Sequence, residues 1–361
     1  MRRSEILPPP EEELPHLWQK PAYSVLLACL ETLHVEPRVW GIGASRTSIL
    51  QAQAATAHDR RETVAFLSAI IKSSLPWLDG DDEREVIWEA ASKRMSERCG
   101  RTAMGEIIRQ WPFESPDDGT FRLTIREPPL TGDSLGLKTW GSSYALAQLL
   151  HGFAAGPLAH LFAPGADPTA EQVLELGAGT GLLGLAAACI WKASVVLTDL
   201  PTIMPNLAHN LALNQPVVHA RGGRAEAAPL TWGARDDTDT DPRFHTPNRY
   251  QLIIAADPLY DDDHPVLLAS AVDEQLARTA GARVLVMVPQ RDATTAALAT
   301  VLRGELARRA DALHCLAESV VAGQDDWGDD DNDEDEDEDE GGTRRVGFWW
   351  GIFGRAGAAG G

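Results

Sequence analysis

Apolar residues recur at helical spacing in three stretches of the first third of the chain, 23–35 (YSVLLACLETLHV), 48–75 and 84–111. The breaker clusters PRVWGIGAS and PWLDGDDE separate them, which predicts a small helical domain over 17–112 behind a disordered leader at 1–16 containing PPPEEELP. From residue 113 the period changes. FRLTIREPPL (121–130) alternates as a strand does, and LKTWGSSYALAQLLHGF (137–153) leads from a Gly-Ser turn into a helix. Beyond it, strands are expected at 172–178, 194–200, 217–223, 250–260, 282–289, 313–321 and 344–353, with helices near 181–191, 202–214, 264–280 and 293–310. Repeated βα units with nearly continuous apolar strands predict a parallel sheet covered on both faces. The last two strands have no helix between them and are expected as an antiparallel pair closing one edge. The fold class is therefore α/β: a Rossmann-like, seven-stranded, mostly parallel sheet with an antiparallel last strand over 113–355, beside the helical N-terminal domain. Two polar segments, 234–249 and 323–342, hold too little apolar surface to fold alone and are expected as disordered surface inserts.

Composition changes this picture only in places. The 361 residues suffice for about two domains. The net charge of −21 is dominated by residues 325–340, which hold 13 acids and no base, so the remainder is a mildly acidic body at −8. That balance offers no electrostatic footprint for nucleic acid and suits a protein or small-molecule substrate. No apolar run reaches the ~20 residues of a membrane span, and the N-terminus carries no signal-peptide core, so a cytoplasmic, or also nuclear, location without membrane attachment is expected. Cys29, Cys99, Cys189 and Cys315 are far apart, and the ten histidines lack ligand spacing; neither disulfides nor a metal site is expected.

Candidate chemistry begins at VLELGAGTGLLGLAAA (173–188), a strand that breaks into glycines and becomes a helix. Backbone amides and a helix N-terminus at the carboxyl edge of a sheet suit a nucleotide-derived cofactor. Gly177, Gly179, Gly181 and Gly184 satisfy both ExGxGxG and GxGxxG, so the glycines alone do not separate S-adenosylmethionine from NAD. Glu175 shifts the balance: a carboxylate there repels a pyrophosphate but suits the ammonium of a methionine moiety. Asp199 ends the next strand 22 residues after Gly177, where a carboxylate accepts ribose hydroxyls of either cofactor. Gly177 and Gly179 are read as approaching the cofactor, Gly184 as packing the helix closely on the strand. A second cluster, Asp257-Pro258-Leu259-Tyr260, ends the fourth strand at the same edge. There an acid orients an amine and an aromatic face accommodates a cationic or methylated nitrogen. Trp140 and Trp232 are candidates to line the pocket.

These segments in this order, ELGAGTG, TDL, PLTWG and DPLY, resemble the seven-β-strand lysine methyltransferases of the methyltransferase-like 21 group. LTIREPPLTGDSLGLKTWGSSYALA (123–147), joined to a helical N-terminal domain, looks more narrowly like the fungal lysine methyltransferases of translation elongation factor 2. The resemblance implies that Glu175, Gly177 and Gly179 surround the methionine end of S-adenosylmethionine and that Asp199, with Leu200 beside it, binds the ribose. It further implies that Trp140, Trp232 and Ala256 line the cofactor pocket and that Asp257 and Tyr260 contact the target lysine. The partner so implied is a protein substrate, translation elongation factor 2; the chain itself is expected to be a monomer. The acidic insert departs from the shorter hairpin of relatives. Readings left open are a methyltransferase of a small amine or nucleobase, a non-catalytic cofactor-binding assembly factor, and last an NAD oxidoreductase.

Overall fold

The computed structural model describes residues 14–34, 61–98, 105–115, 119–129, 135–162, 173–233, 240–324 and 345–355. Most of the expected leader, and the acidic insert from residue 325, lie outside them. The chain separates into two compact units that adjoin in sequence at Gly105 and Glu106.

The first unit is helical in its described part. Helices α1 (Tyr23–Thr32), α2 (61–72) and α3 (Asp81–Ser96) bury Leu26 and Leu30, then Phe66, Leu67 and Ile70, then Ile87 and Ala91. Each set recurs three or four residues apart, so one stripe of each helix faces the small core. The indole N–H groups of Trp77 and Trp88 donate to the carbonyls of Pro21 and Ser73, which lets these large rings pack without stranding a donor.

The helical period expected over 84–111 stops early. Residues Ile107–Ser115 form strand β1, paired antiparallel with β2 (Gly119–Glu127). The reason is a strict alternation: Ile107, Arg109, Trp111, Phe113 and Ser115 are buried and the residues between them exposed.

The rest of the second unit is a sheet of seven strands: β3 (Val173–Leu176), β4 (Ser194–Asp199), β5 (Arg224–Pro229), β6 (Leu252–Ala256), β7 (Arg283–Gln290), β8 (His314–Gln324) and β9 (Arg345–Gly354), in spatial order β5-β4-β3-β6-β7-β9-β8. Strands β3 to β7 are parallel, while β9 runs antiparallel between β7 and β8. Successive residues serve opposite faces. Val173, Val195, Leu252 and Leu285 pack beneath α4 (Gly141–Ala155) and α5 (Leu182–Trp191), whereas Leu174, Val196, Ile253 and Val284 pack with α7 (His264–Gln275) and α8 (Ala293–Arg308). Strand order reverses at β3, with β4 on one side and β6 on the other, which opens a crevice at their carboxyl ends.

Two sequence expectations change here. Residues 217–220, read as the start of a strand, continue helix α6 (Met204–Ala220). Gly222, at φ +81°, and Gly223 close that helix: their N–H groups donate to the carbonyls of His219 and Val218, the two-bond pattern of a helix stop. The strand follows instead at Arg224. Residues 240–249, read as part of a disordered insert, are packed; 234–239 lie outside the described residues. Phe244 is buried, Gln275 donates to its carbonyl, and the Asn248 side chain donates to carbonyls at the end of α7.

Helix α6 also carries a feature the hydrophobic pattern hides. Asn206, Asn210 and Asn214 are buried at four-residue spacing and bond the outer edge of β2. Asn214 and Asn210 each accept from and donate to one backbone unit, at Thr124 and Arg126, with distances of 2.7–3.0 Å. Four helical residues rise ~6 Å and two strand residues ~6.8 Å, so side-chain amides at this spacing stand in for a neighbouring strand.

Candidate active site

The glycine loop leaves β3 with Gly177 at φ +71° and Gly179 at φ +56°, conformations that L side chains rarely adopt. A Cβ on Gly177 would press on the Trp232 ring at 3.3 Å, and one on Gly179 on the Gly136 carbonyl at 3.1 Å. The loop is braced from behind. Thr180 Oγ1 lies 2.8 Å from Thr139 Oγ1, and the Thr180 carbonyl accepts from Asn210 at 2.9 Å.

Glu175 shares the sheet face of Val173, so its carboxylate points under α5 into the core, where it is 2% exposed. Gly184 makes room: a Cβ there would sit 2.3 Å from Glu175 Oε2 and 2.6 Å from Leu197 Cγ. Burial pushes the Glu175 carboxyl well above the usual carboxylate range; the Gly184 amide opposes this and Asp199 adds to it. Its Oε2 has no hydrogen-bond partner among the described residues.

Asp199, at the end of β4, accepts from the Gly179 N–H through Oδ2 and from the Leu200 N–H through Oδ1, each at 2.7 Å. Burial raises its pKa while those two amides oppose the rise. Two amide bonds leave a carboxylate with lone pairs to spare. Leu200 is 46% exposed at the rim, and Ala256 is buried at the end of β6.

Asp257 follows β6 in a left-handed conformation, φ +55°, its N–H bonded to the Met287 carbonyl at 2.9 Å. Its carboxylate is buried and gripped by Arg291, which donates at 3.2 Å to Oδ1 and 2.6 Å to Oδ2. Tyr260 is 58% exposed, its ring edge-on to His264 at 4.2 Å, and His264 lies edge-on to Trp232 at 6.0 Å. Burial raises the Tyr260 pKa, with Asp199, Asp257 and Asp261 adding to it. Trp140 caps α4, donates to the Leu135 carbonyl at 3.1 Å, and has Lys138 and Arg291 over its ring at 4.4 and 5.2 Å.

The candidate residues read from the sequence thus gather at one carboxyl edge. Missed were Arg291, His264, Lys138, Thr139, Thr180 and the three asparagines. The asparagines had a signal in their four-residue spacing; Arg291 stands in no motif.

The cofactor options separate on these observations. A glycine cradle that a side chain would fill, a buried carboxylate oxygen lacking a partner beside it, and a second carboxylate with spare lone pairs fit S-adenosylmethionine, whose ammonium and ribose hydroxyls match them in kind. A pyrophosphate would meet Glu175 as a repelling or protonated acid. Among the described residues, no group of three or more His, Cys, Asp or Glu side chains could hold a metal ion.

Comparison with known proteins agrees. Protein-lysine N-methyltransferase EFM2 of Saccharomyces cerevisiae is 35% identical over 251 residues, 66% of this chain and 55% of that protein. Protein-lysine N-methyltransferase rrg1 of Schizosaccharomyces pombe is 27% identical over 270 residues, 74% of this chain and 79% of that one. EEF1A lysine methyltransferase 3 of Mus musculus is 34% identical over 105 residues, 29% of this chain and 40% of its own. The chain thus spans little more than half the length of the budding-yeast relative. A family model described as "Lysine methyltransferase" matches residues 120–302, about half of the chain, from β2 through the glycine loop, Asp199 and Asp257 into α8. The chain belongs to the lysine methyltransferase family.

Proposed function

We propose that this chain is an S-adenosylmethionine-dependent protein-lysine N-methyltransferase whose substrate is a translation elongation factor, elongation factor 2, on which it acts as a monomer in the cytoplasm. The observation that carries the activity is the meeting, at the β3/β4/β6 edge, of a glycine cradle and the unmatched Oε2 of Glu175 with the Asp257–Arg291 pair and exposed Tyr260. The substrate class is supported by the name of the mouse relative, an EEF1A lysine methyltransferase, and by the resemblance of residues 123–147.

S-adenosylmethionine, when bound, supplies a methyl group on a sulfonium sulfur, an electrophile that needs only a lone pair approaching in line. The chain's residues do the rest. Glu175 gives up its proton and faces the cationic ammonium, while Asp199 accepts the ribose hydroxyls with Leu200 at the rim. Gly177, Gly179 and Trp232 form the wall, with Trp140 and Ala256 lining the same cofactor pocket. A lysine amine, with a reference pKa of ~10.4, must lose its proton before it attacks. Tyr260 offers its ring face to that amine, and Asp257, fixed behind it, orients the N–H.

The test is labelling of purified elongation factor 2 with tritiated methyl, followed by mass spectrometry of its lysines. Transfer by the wild-type chain and its loss in Asp257→Ala is the expected result. Undiminished labelling in Asp257→Ala would overturn the site, and transfer to small amines alone would overturn the protein substrate.

A further inference from the structure

Arg291 lies just beyond β7, and the structure ties it in two directions. Towards β6 its guanidinium spans both oxygens of Asp257, and the two side chains are 11% and 5% exposed. Towards α4 its Cζ lies 5.2 Å from the centre of the Trp140 ring. A planar fork on a carboxylate fixes rotation as well as position, which a single point charge does not do. Asp257 needs such fixing, because it ends a strand in a left-handed conformation that a non-glycine residue adopts only when its surroundings hold it there.

We propose that Arg291 is a positioning residue of the methyl-transfer site, joining the Asp257 carboxylate to the Trp140 ring so that the target-lysine side and the cofactor side keep one register. The role rests on the methyltransferase reading above. Around the pair stand Ser142 Oγ, 3.5 Å from Asp257 Oδ2, and Lys138 over the Trp140 ring. On the Tyr260 side stand Asp199, Asp261 and His264. Removing the guanidinium leaves the Asp257 carboxyl buried without that cation, so it holds its proton to higher pH.

The experiment compares the full chain with Arg291→Gln, Arg291→Lys, Asp257→Asn and the Asp257→Asn/Arg291→Gln double variant. Readouts are kcat and KM across pH, thermal melting, and calorimetric binding of S-adenosylhomocysteine. Arg291→Gln is expected to lose about 10²-fold in kcat at neutral pH with little change in KM for the protein substrate. The acid limb of its profile moves upward, so raising the pH recovers activity, and Arg291→Lys recovers part at neutral pH. The double variant removes both charges of this pair, so it melts nearer to wild type than either single variant while staying as slow as Asp257→Asn. A wild-type kcat and acid limb in Arg291→Gln would overturn the role, as would activity that returns with melting temperature in the double variant. Should the wild-type chain bind S-adenosylhomocysteine yet methylate no protein, the methyltransferase reading fails. Arg291 is then decided by affinity: weakened in Arg291→Gln and recovered in Arg291→Lys if it positions Trp140, unchanged in both if it does not.

Discussion

Replacing Asn210 with alanine isolates what the asparagine row on α6 contributes. Asn210 is fully buried; its Oδ1 accepts from the Arg126 N–H at 2.9 Å, and its Nδ2 donates to the carbonyls of Arg126 at 3.0 Å and Thr180 at 2.9 Å. Alanine removes all of these. The Arg126 carbonyl keeps Asn206 Nδ2 at 3.3 Å, so the groups stranded are the Arg126 N–H and the Thr180 carbonyl. At ~1–3 kcal/mol for each buried group left unsatisfied, the loss is about 2–6 kcal/mol. For a unit of this size that lowers Tm by roughly 5–20 °C. Because Thr180 sits between Gly179 and Gly181, affinity for S-adenosylmethionine should fall as well. Asn210→Asp should be worse than alanine: it still accepts from Arg126 but donates to neither carbonyl and buries a charge. Asn206→Ala should cost less, since its bonds are 3.3 and 3.4 Å long. Circular-dichroism melts paired with calorimetric titration give both quantities. An Asn210→Ala protein melting within about 2 °C of wild type, with unchanged cofactor affinity, would refute the view that these amides replace a strand and brace the loop.

Other consequences follow from single contacts. Gly184→Ala places a Cβ 2.3 Å from Glu175 Oε2 and should cost about 1–3 kcal/mol or more in urea unfolding; an unchanged midpoint would show that α5 can shift freely. Because burial holds the Glu175 carboxyl well above its ordinary range, pairing it with a ligand ammonium should expel a proton. Affinity for S-adenosylmethionine then rises with pH, and binding heats depend on the ionisation enthalpy of the buffer; buffer-independent heats would exclude this proton release. Asp292 caps α8 through the Thr295 N–H at 2.7 Å, and Asp292→Ala should cost about 1 kcal/mol. The Thr295 hydroxyl and amide hold the Asp292 carboxyl low, so its stabilisation is complete above the pKa of the unfolded chain. It is lost as pH falls through the depressed folded value, and the wild-type and Asp292→Ala unfolding curves should converge in acid.

The fold was legible where burial is two-sided and continuous. Strands β3, β4, β6 and β7 read as nearly continuous apolar runs because both of their faces are covered, and the β8–β9 pair followed from the lack of a helix between them. The errors have local causes. In 217–223 the valines belong to a helix whose end is set by Gly222 and Gly223, and apolar composition does not distinguish a helix end from a strand start. In 107–111 a buried arginine, Arg109, interrupts the apolar alternation; its partner Glu127, 2.7 Å away across the hairpin, is what makes that position tolerable.

The site was legible as a set of residues but not as a set of charges. Glu175, Asp199 and Asp257 look alike in sequence, each an acid in or just after an apolar strand. In the structure they occupy three different electrostatic states. Glu175 has an oxygen with no hydrogen-bond partner among the described residues, Asp199 is held by two backbone amides, and Asp257 is spanned by an arginine 34 positions along the chain. These differences bear on the roles proposed above. A carboxylate already matched by a guanidinium gains little from a second cation, so Asp257 is suited to hold geometry. A buried carboxylate with an unmatched oxygen gains most from one, which is why the proposed site pairs Glu175 with a ligand's positive charge. No spacing rule carries that distinction, because it depends on which side chains the sheet order brings to the ends of β3, β4 and β6. Arg291 reaches Asp257 only because β7 lies beside β6.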